Sequence, residues 1–272
     1  MAPGAAPARA QAHQQCADFQ RRKRTFLGKD DKSSAGGIDA HAREVCETIN
    51  GRQDCFTTSS CSGRAYLWKG EGVKSTSDFV RYRVTHELIP EAQPYFDLLA
   101  LCEEPADGAW EPDRRRTRER APTSAIRPRP LGAWRALAAV AGRLCGGPRP
   151  EQPAAAALAA QDEAVWLRFE PFILHVCCRD FQAAAALIAA ARRVFKNVGV
   201  QSWSEGKVTV AIWGDEGLEM ALTDPSGRPL FAGHEEWLRE QVNSRHRRNW
   251  AKIGRFTEAV RATPDSPAPT DA

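Results

Sequence analysis

The sequence has no long apolar run: nothing in its 272 residues approaches the ~18 consecutive apolar residues that a membrane-spanning helix needs. Its first 17 residues are rich in alanine and contain no acidic residue, but they lack the apolar stretch of a secretory signal. We therefore expect a protein that is neither inserted in a membrane nor exported, and we expect it in the cytoplasm.

Paired cysteine motifs are also absent, although the chain contains eight cysteines. No C-x-x-C pair occurs, and Cys177 and Cys178 are adjacent. Cys55 and Cys61 lack the second cysteine pair or the spaced histidine pair that usually completes a zinc site. The pattern argues against a disulfide framework and against structural zinc, and it predicts a reduced intracellular protein without a metal.

Two glycine-rich phosphate-binding loops are missing as well. No G-x-G-x-x-G opens a helix after a predicted strand, and no Walker A lysine loop occurs. This excludes a dinucleotide-binding Rossmann unit and the usual glycine-rich loop of methyltransferases. The net charge of +4 permits a polyanionic partner without requiring one.

Composition divides the chain into folded and low-complexity parts. Between two segments with regular hydrophobic spacing, proline, arginine and alanine dominate, and such a stretch cannot bury enough apolar surface to offset the entropy of ordering it. We predict, in chain order, a disordered N-terminus (1–17), a first half of a domain (18–102), a disordered insertion (103–162), the second half of the same domain (163–262) and a disordered tail (263–272).

Hydrophobic spacing predicts both helices and strands in the folded parts. Apolar residues recur at helical spacing over 38–49, and a long helix is predicted from Glu235 to about Arg261. Alternating apolar residues predict a hairpin around the sequence GDEG at 214–217. Together these elements predict an α+β fold with two comparable sheet-and-helix units.

A run of small polar residues, CFTTSSCSGR at 55–64, follows the first of these helices. A loop of this composition, with Gly63 for conformational freedom and the guanidinium of Arg64, suits a carboxylate or a phosphate. A Ser/Thr-rich edge strand closed by a turn, with Arg64 in a surface ion pair, explains the same residues. Cys61 near Arg64 adds the alternative of a nucleophilic thiol. The residues alone leave these alternatives open.

Three further residues are candidates because of their type and position. His175 lies within a predicted strand, where a buried histidine is the simpler interpretation. His86 follows a strand end, where a ligand can reach it. Asp39 stands at a helix start, so it is interpreted as an N-terminal cap or as a partner of the helix dipole.

Several motifs together resemble one family, the wybutosine-synthesising methyltransferases of tRNA. The motifs are, in chain order, DKSSAGGID (31–39), FTTSSCSGR (56–64), VTHEL (84–88), FEPFILHVCCRD (169–180) and LEMAL (218–222). The resemblance covers nearly all of both predicted folded parts, and only the insertion interrupts it.

This resemblance implies a reaction, a fold and partners. Enzymes of the family transfer a methyl group from S-adenosylmethionine to the N-4 nitrogen of 7-aminocarboxypropyl-demethylwyosine, a tricyclic guanine derivative at position 37 of phenylalanine tRNA. The family fold consists of two related β-β-β-α repeats in one compact, non-Rossmann unit. The expected partners are the anticodon arm of that tRNA and other enzymes of the wybutosine pathway.

The resemblance also implies roles for residues within the matched motifs. His86 and His175 are the expected catalytic residues, because an imidazole has a suitable pKa to take the proton that leaves the attacked nitrogen. The residues expected to bind the methyl donor or the aminocarboxypropyl arm of the base are Ser59, Ser60, Ser62, Gly63, Arg64, Glu170, Arg179 and Asp39. Both ligands carry a carboxylate, so the motifs do not separate them.

Two alternatives from other classes of protein make different predictions. A tRNA-binding adaptor without catalysis would hold tRNA through Arg64 and the basic final helix, and it would have no affinity for the methyl donor. A thiol-dependent hydrolase acting through Cys61 would be inactivated by alkylation and would need no methyl donor.

Overall fold

The computed structural model describes residues 5–28, 37–70, 80–91, 94–98, 101 and 164–266. The insertion predicted at 103–162 lies outside these ranges, as does most of the predicted tail. Within the described ranges, no helix combines the length and the apolar character that crossing a membrane requires.

Helices and strands alternate irregularly along the described chain. Its elements are α1 (Ala5–Leu27), α2 (Ala40–Gly51), β1 (Cys55–Cys61), β2 (Arg64–Lys69), β3 (Val80–Thr85), β4 (Trp166–Glu170), β5 (Ile173–Cys178), α3 (Phe181–Arg192), β6 (Asn197–Ser204), β7 (Lys207–Trp213), β8 (Leu218–Ala221) and α4 (Glu235–Arg261). The helix α1 begins at Ala5, inside the segment predicted as disordered, since alanine-rich sequence favours helix. The predicted long helix from Glu235 to Arg261 is confirmed.

The eight strands form two four-stranded sheets in which every pairing is antiparallel. The first sheet has the strand order β1-β5-β7-β6, and the second has the order β3-β2-β4-β8. Strands β1 to β3 precede the insertion and β4 to β8 follow it, so each sheet combines strands from both sides. The predicted α+β, non-Rossmann fold is therefore confirmed, and the two parts of the sequence form one folded unit.

The chain passes from one sheet to the other at three short crossings. The first crossing joins β1 to β2 through Ser62 and Gly63. The second joins β4 to β5 through Pro171 and Phe172, and the third joins β7 to β8 through residues 214–217. Because crossings interrupt both ladders, the backbone polar groups there need partners from outside the sheets.

The prediction of a hairpin around residues 214–217 is wrong. Strand β7 pairs with β5 and β6, whereas β8 pairs with β4 in the second sheet. The hairpin that does form joins β6 to β7 through Glu205 and Gly206. Alternating hydrophobicity reports that a strand has one buried face, but it does not report which sheet the strand joins.

The polar stretch at 55–64 is mostly strand, not loop. Strand β1 continues to Cys61, and its Ser59 and Ser60 lie opposite His175 and Leu174 of β5. Only the two residues of the first crossing lie outside regular structure. The small polar residues therefore end one strand of the first sheet and lead directly into the second sheet.

Helices cover both faces of the first sheet. Apolar side chains of α2, α3 and α4 pack against one face. Against the opposite face, Phe19 of α1 packs on Phe56 of β1, with 5.6 Å between the ring centroids. The helix α4 contributes to the cores of both sheets. Its Leu238 and Val242 belong to the core of the second sheet, and its Phe256 belongs to the core of the first. Its middle turns therefore lie beside the crossings.

A buried ion pair fastens the start of β1 to the chain that follows α4. Arg52 makes two hydrogen bonds to the buried carboxylate of Asp54, at 2.9 and 3.0 Å. Arg52 also donates to the carbonyl groups of Thr263 and Pro264, and Asp54 accepts from the backbone N–H of Ser266. Burial alone would raise the pKa of Asp54, but the hydrogen bonds from Arg52 and Ser266 outweigh burial and lower it.

Asp54→Asn is expected to reduce the free energy of unfolding by about 3 kcal/mol at pH 7, because buried Arg52 then keeps only the more exposed Asp265, at 3.4 Å, as a charged partner. A carboxylate whose pKa is lowered by folding stabilises the protein above its unfolded pKa of about 3.9, and this contribution is lost as the pH falls through the folded pKa. The deficit of the variant should therefore shrink below about pH 4. Urea unfolding at pH 7 and pH 3 measures both values.

The control for this experiment is Glu205→Gln, which changes an exposed acid in the turn between β6 and β7. This variant should match the wild type at both pH values. A deficit of Asp54→Asn that is the same at pH 7 and pH 3 would contradict the assigned role of the carboxylate.

Candidate functional site

The first crossing brings several predicted site residues together. Gly63 has φ of 101°, a conformation that residues with a side chain rarely adopt. A Cβ atom on Gly63 would lie 2.9 Å from Nδ2 of Asn249 and 3.3 Å from the carbonyl oxygen of Glu170. Glycine is thus required here both by backbone conformation and by the close approach of two neighbouring segments.

Asn249 of α4 links two of the three crossings, and a backbone hydrogen bond joins the third to them. Its Nδ2 donates to the carbonyl of Ser62 at 2.5 Å, and its Oδ1 accepts from the backbone N–H of Phe172 at 3.0 Å. The N–H of Gly214 donates in turn to the carbonyl of Phe172 at 2.7 Å. One fully buried side-chain amide therefore supplies the hydrogen bonds that the interrupted ladders do not.

An arginine–glutamate pair lies at the end of the first crossing. Arg64 begins β2 and Glu170 ends β4, and the two residues are opposite each other in the ladder, with 2.8 Å between guanidinium and carboxylate. The O–H of Tyr66 donates to the second carboxylate oxygen of Glu170 at 2.7 Å. Burial and the bond to Glu170 raise the pKa of Tyr66 to about 12, so this hydroxyl stays protonated. The side chains of Arg64 and Glu170 remain 25% and 23% exposed, which leaves them accessible to a ligand.

A second charged pair lies at the start of the same crossing. Asp39 holds the N-cap position of α2, but its side chain does not cap the helix. Its Oδ2 instead accepts from the backbone N–H of Ser62 at 2.7 Å and lies 3.2 Å from Nδ1 of His86. The Sγ of Cys61 lies 3.8 Å from the same ring nitrogen. The capping interpretation of Asp39 is therefore wrong for its side chain, because tertiary partners replace the helix N–H groups.

The contacts of His86 decide its charge. Burial alone would lower the pKa of His86, but its contacts with Asp39 and Cys61 outweigh burial and raise the pKa to about 10. Burial alone would raise the pKa of Asp39, but His86 and the N–H of Ser62 lower it. At neutral pH the pair is therefore a cation beside an anion. Asp39 and Cys61 also approach one and the same ring nitrogen, whereas a thiol hydrolase needs its acid and its thiol on different nitrogens of the histidine.

Opposite charges consequently flank the first crossing. Arg64 and His86 are cationic, while Glu170 and Asp39 are anionic. A ligand with a carboxylate and an ammonium group next to each other, as in an α-amino acid, finds a charged partner for each.

Two other predicted site residues lie elsewhere. His175 lines a cleft of about 430 Å³ beside α1, together with Arg22, Phe26 and Lys207. Burial lowers the pKa of His175, and its Nε2 has no hydrogen-bond partner within the described ranges. Arg179 is 5% exposed and donates to its neighbour Asp180 and to the carbonyl of Ser266, so its contacts belong to the buried network at the start of β1. The roles of His175 and Arg179 stay predictions.

The residues of α4 beside the crossings were not predicted. Asn243 exchanges two hydrogen bonds with the backbone of Ile89, at 2.8 and 2.9 Å, and His246 is fully buried against the ring of Phe169. Burial and two nearby histidines lower the pKa of His246 to about 3, so it is neutral. The sequence did contain a signal for these residues. Asn243, His246 and Asn249 follow one another at intervals of three residues, which places polar groups on the apolar face of a helix.

The fold is that of a class of α+β protein that is known from a solved archaeal structure. The protein PH1069 from Pyrococcus horikoshii superposes on this chain with a TM-score of 0.56 at 18% sequence identity. The match covers 91% of this chain and 96% of the archaeal one. At this level of identity the likeness shows the fold.

The sequence comparison identifies the family. Residues 20–262 match the family described as Methyltransferase TYW3. The tRNA wybutosine-synthesizing protein 3 homolog of Mus musculus is 30% identical over 245 residues, which span 88% of this chain and 72% of the mouse protein. The homolog of Xenopus laevis is 28% identical over 241 residues, with the same two coverages. The chain belongs to the Methyltransferase TYW3 family, and the resemblance that its motifs indicated is confirmed.

Proposed function

We propose that this protein transfers a methyl group from S-adenosylmethionine to N-4 of 7-aminocarboxypropyl-demethylwyosine at position 37 of phenylalanine tRNA. Membership in the Methyltransferase TYW3 family supports methyl transfer as the reaction. The mouse and frog relatives carry the name of wybutosine-synthesizing proteins. The observation that carries the proposal is the pairing of opposite charges around the first crossing, because both substrates end in an α-amino acid group.

The residues at the crossing fit such a group. Arg64 and His86 are the partners for its carboxylate, and Glu170 and Asp39 are the partners for its ammonium. S-adenosylmethionine supplies a methyl group activated by its sulfonium sulfur. The protein's contribution is then mainly placement of the methyl group in line with the attacking nitrogen, which crossings held by Asn249 favour.

The attacked nitrogen must also lose a proton. His86 is cationic in the free protein, so in that state it suits anion binding better than proton acceptance. His175 is neutral, and its Nε2 is a buried atom without a partner within the described ranges, so it accepts a proton only from a substrate that reaches into the cleft. Both residues remain candidates for the general base.

The tRNA needs a cationic surface outside the charged crossing. Arg22 and Lys207 stand at the cleft beside α1, and such side chains suit the phosphates of an anticodon arm. We place the reaction in the cytoplasm, beside the other enzymes of the wybutosine pathway.

The test is a methyl-transfer assay. Purified protein is incubated with labelled S-adenosylmethionine and with phenylalanine tRNA from cells blocked immediately before this step, and the nucleosides are analysed by mass spectrometry. We expect a labelled nucleoside that is heavier by one methyl group. Binding of tRNA without any methyl transfer, and without affinity for the methyl donor, would overturn the proposal and favour the non-catalytic adaptor.

A further inference from the structure

We propose that Asp39, Cys61 and His86 form a binding site for a divalent transition metal ion of the zinc type. The three residues come from three separate parts of the fold: the start of α2, the end of β1 and the residue that follows β3. This inference does not depend on the proposed methyl transfer, but an ion held by Asp39 and His86 leaves Arg64 and Glu170 as the charged partners of the amino acid group.

The distances between the three side chains match a metal site. The Nδ1 of His86 is 3.2 Å from the Oδ2 of Asp39 and 3.8 Å from the Sγ of Cys61, and all three atoms lie within 4.8 Å of one another. Tetrahedral zinc binds nitrogen and oxygen at about 2.0–2.2 Å and sulfur at about 2.3 Å, which separates neighbouring ligand atoms by about 3.3–3.8 Å. The two separations from Nδ1 of His86 therefore already fit one shared ion.

The surroundings hold one of the ligands, Asp39, in place. The backbone N–H of Ser62 donates to Oδ2 of Asp39 at 2.7 Å, and Ser62 itself is fixed through its carbonyl by Asn249. Such hydrogen bonds to a ligand carboxylate orient it before the metal arrives. The side chains of Asp39 and His86 are 12% and 29% exposed, so the site is sheltered but open to solvent.

The chemistry of the ligands selects the type of metal. A thiolate and an imidazole favour zinc and its neighbours in the transition series, whereas magnesium and calcium prefer sites made only of oxygen ligands. Three protein ligands leave one position of a tetrahedron for water or for a substrate atom, which is the pattern of catalytic zinc rather than of structural zinc. An ion bound at Nδ1 also excludes that nitrogen of His86 from proton acceptance.

Metal binding gives a measurable signature. A metal ion binds a neutral imidazole nitrogen and a thiolate, so protons held by these groups are released when it binds. The bonds formed are metal–oxygen, metal–nitrogen and metal–sulfur, and the released protons go to the buffer.

Cobalt(II) is the spectroscopic probe for the test. The full-length protein is freed of metal with a chelator under reducing conditions, without methyl donor or tRNA, and is titrated with Co²⁺ and then with Zn²⁺. We expect one saturable site, a thiolate-to-cobalt charge-transfer band that Zn²⁺ removes, and release of protons in calorimetry with buffers of different ionisation enthalpy.

Three variants assign the site, and circular dichroism with thermal unfolding verifies that each is folded. Cys61→Ser should abolish the charge-transfer band, and His86→Gln should weaken binding at least about 100-fold. Cys16→Ser, which changes a partly exposed cysteine on α1, is the matched control and should bind as the wild type does. A band that persists in folded Cys61→Ser would overturn the proposal, as would the absence of saturable binding to the wild-type protein.

Discussion

Arg64→Ala is expected to lower kcat/KM for methyl transfer roughly 30- to 150-fold, which corresponds to about 2–3 kcal/mol for removal of one partner from a partly buried charged pair. The effect should be large because Arg64 contributes the guanidinium at the end of the first crossing, where it pairs with Glu170 at 2.8 Å. The assay described above measures it, with thermal unfolding as a check on the fold.

The matched control is Arg261→Ala, since Arg261 is also an ion-paired arginine but lies at the far end of α4 with Glu44 and Glu258. It should retain wild-type kcat/KM. Glu170→Gln, which keeps the size of the side chain but removes its charge, should reduce binding of the amino acid end of the donor in calorimetry. Full activity of folded Arg64→Ala would show that the crossing is not the ligand site.

Asn249→Ala is expected to destabilise the protein by about 2–4 kcal/mol, because it leaves a buried carbonyl and a buried N–H without a hydrogen-bond partner. These groups belong to Ser62 and Phe172, on two different crossings between the sheets. Urea unfolding at neutral pH measures the change.

An exposed asparagine provides the comparison. Asn197 begins β6 at the surface, and Asn197→Ala should change the free energy of unfolding by less than about 0.5 kcal/mol. If the two variants were equally stable, the link between the crossings would not depend on Asn249. A folded but loosened Asn249→Ala should also lose methyl transfer, since the charged groups flanking Gly63 are positioned by this contact.

Local patterns predicted the elements of this fold well. The spacing over 38–49 predicted α2, whose Ala42, Val45, Cys46 and Ile49 are all buried. Charged and apolar residues predicted α4 with its correct bounds. The missing glycine loop excluded a Rossmann sheet, and the order of the motifs indicated the family. Each of these features depends on residues that are close together in the sequence.

The partners of the strands could not be predicted in the same way. Strands β1 and β2 are separated by two residues yet belong to different sheets, and β7 and β8 are separated by four residues with the same result. The alternation of apolar and polar residues along a strand shows only whether one face of that strand is buried. Strands of both sheets have a buried face, so the alternation does not show which sheet a strand joins. The hairpin prediction at 214–217 was wrong for this reason.

The sequence by itself therefore determined most of the secondary structure, the class of fold and the family, because hydrophobic period, helix limits and motif order are local properties. Only the tertiary structure decided which predicted residues meet. It brought Asp39, Cys61 and His86 together across 47 residues of sequence, paired Arg64 with Glu170 across the insertion, and placed His175 in another cleft. It also made Asn249 a central residue, since a buried amide acquires its role only when distant backbone groups lose their own partners.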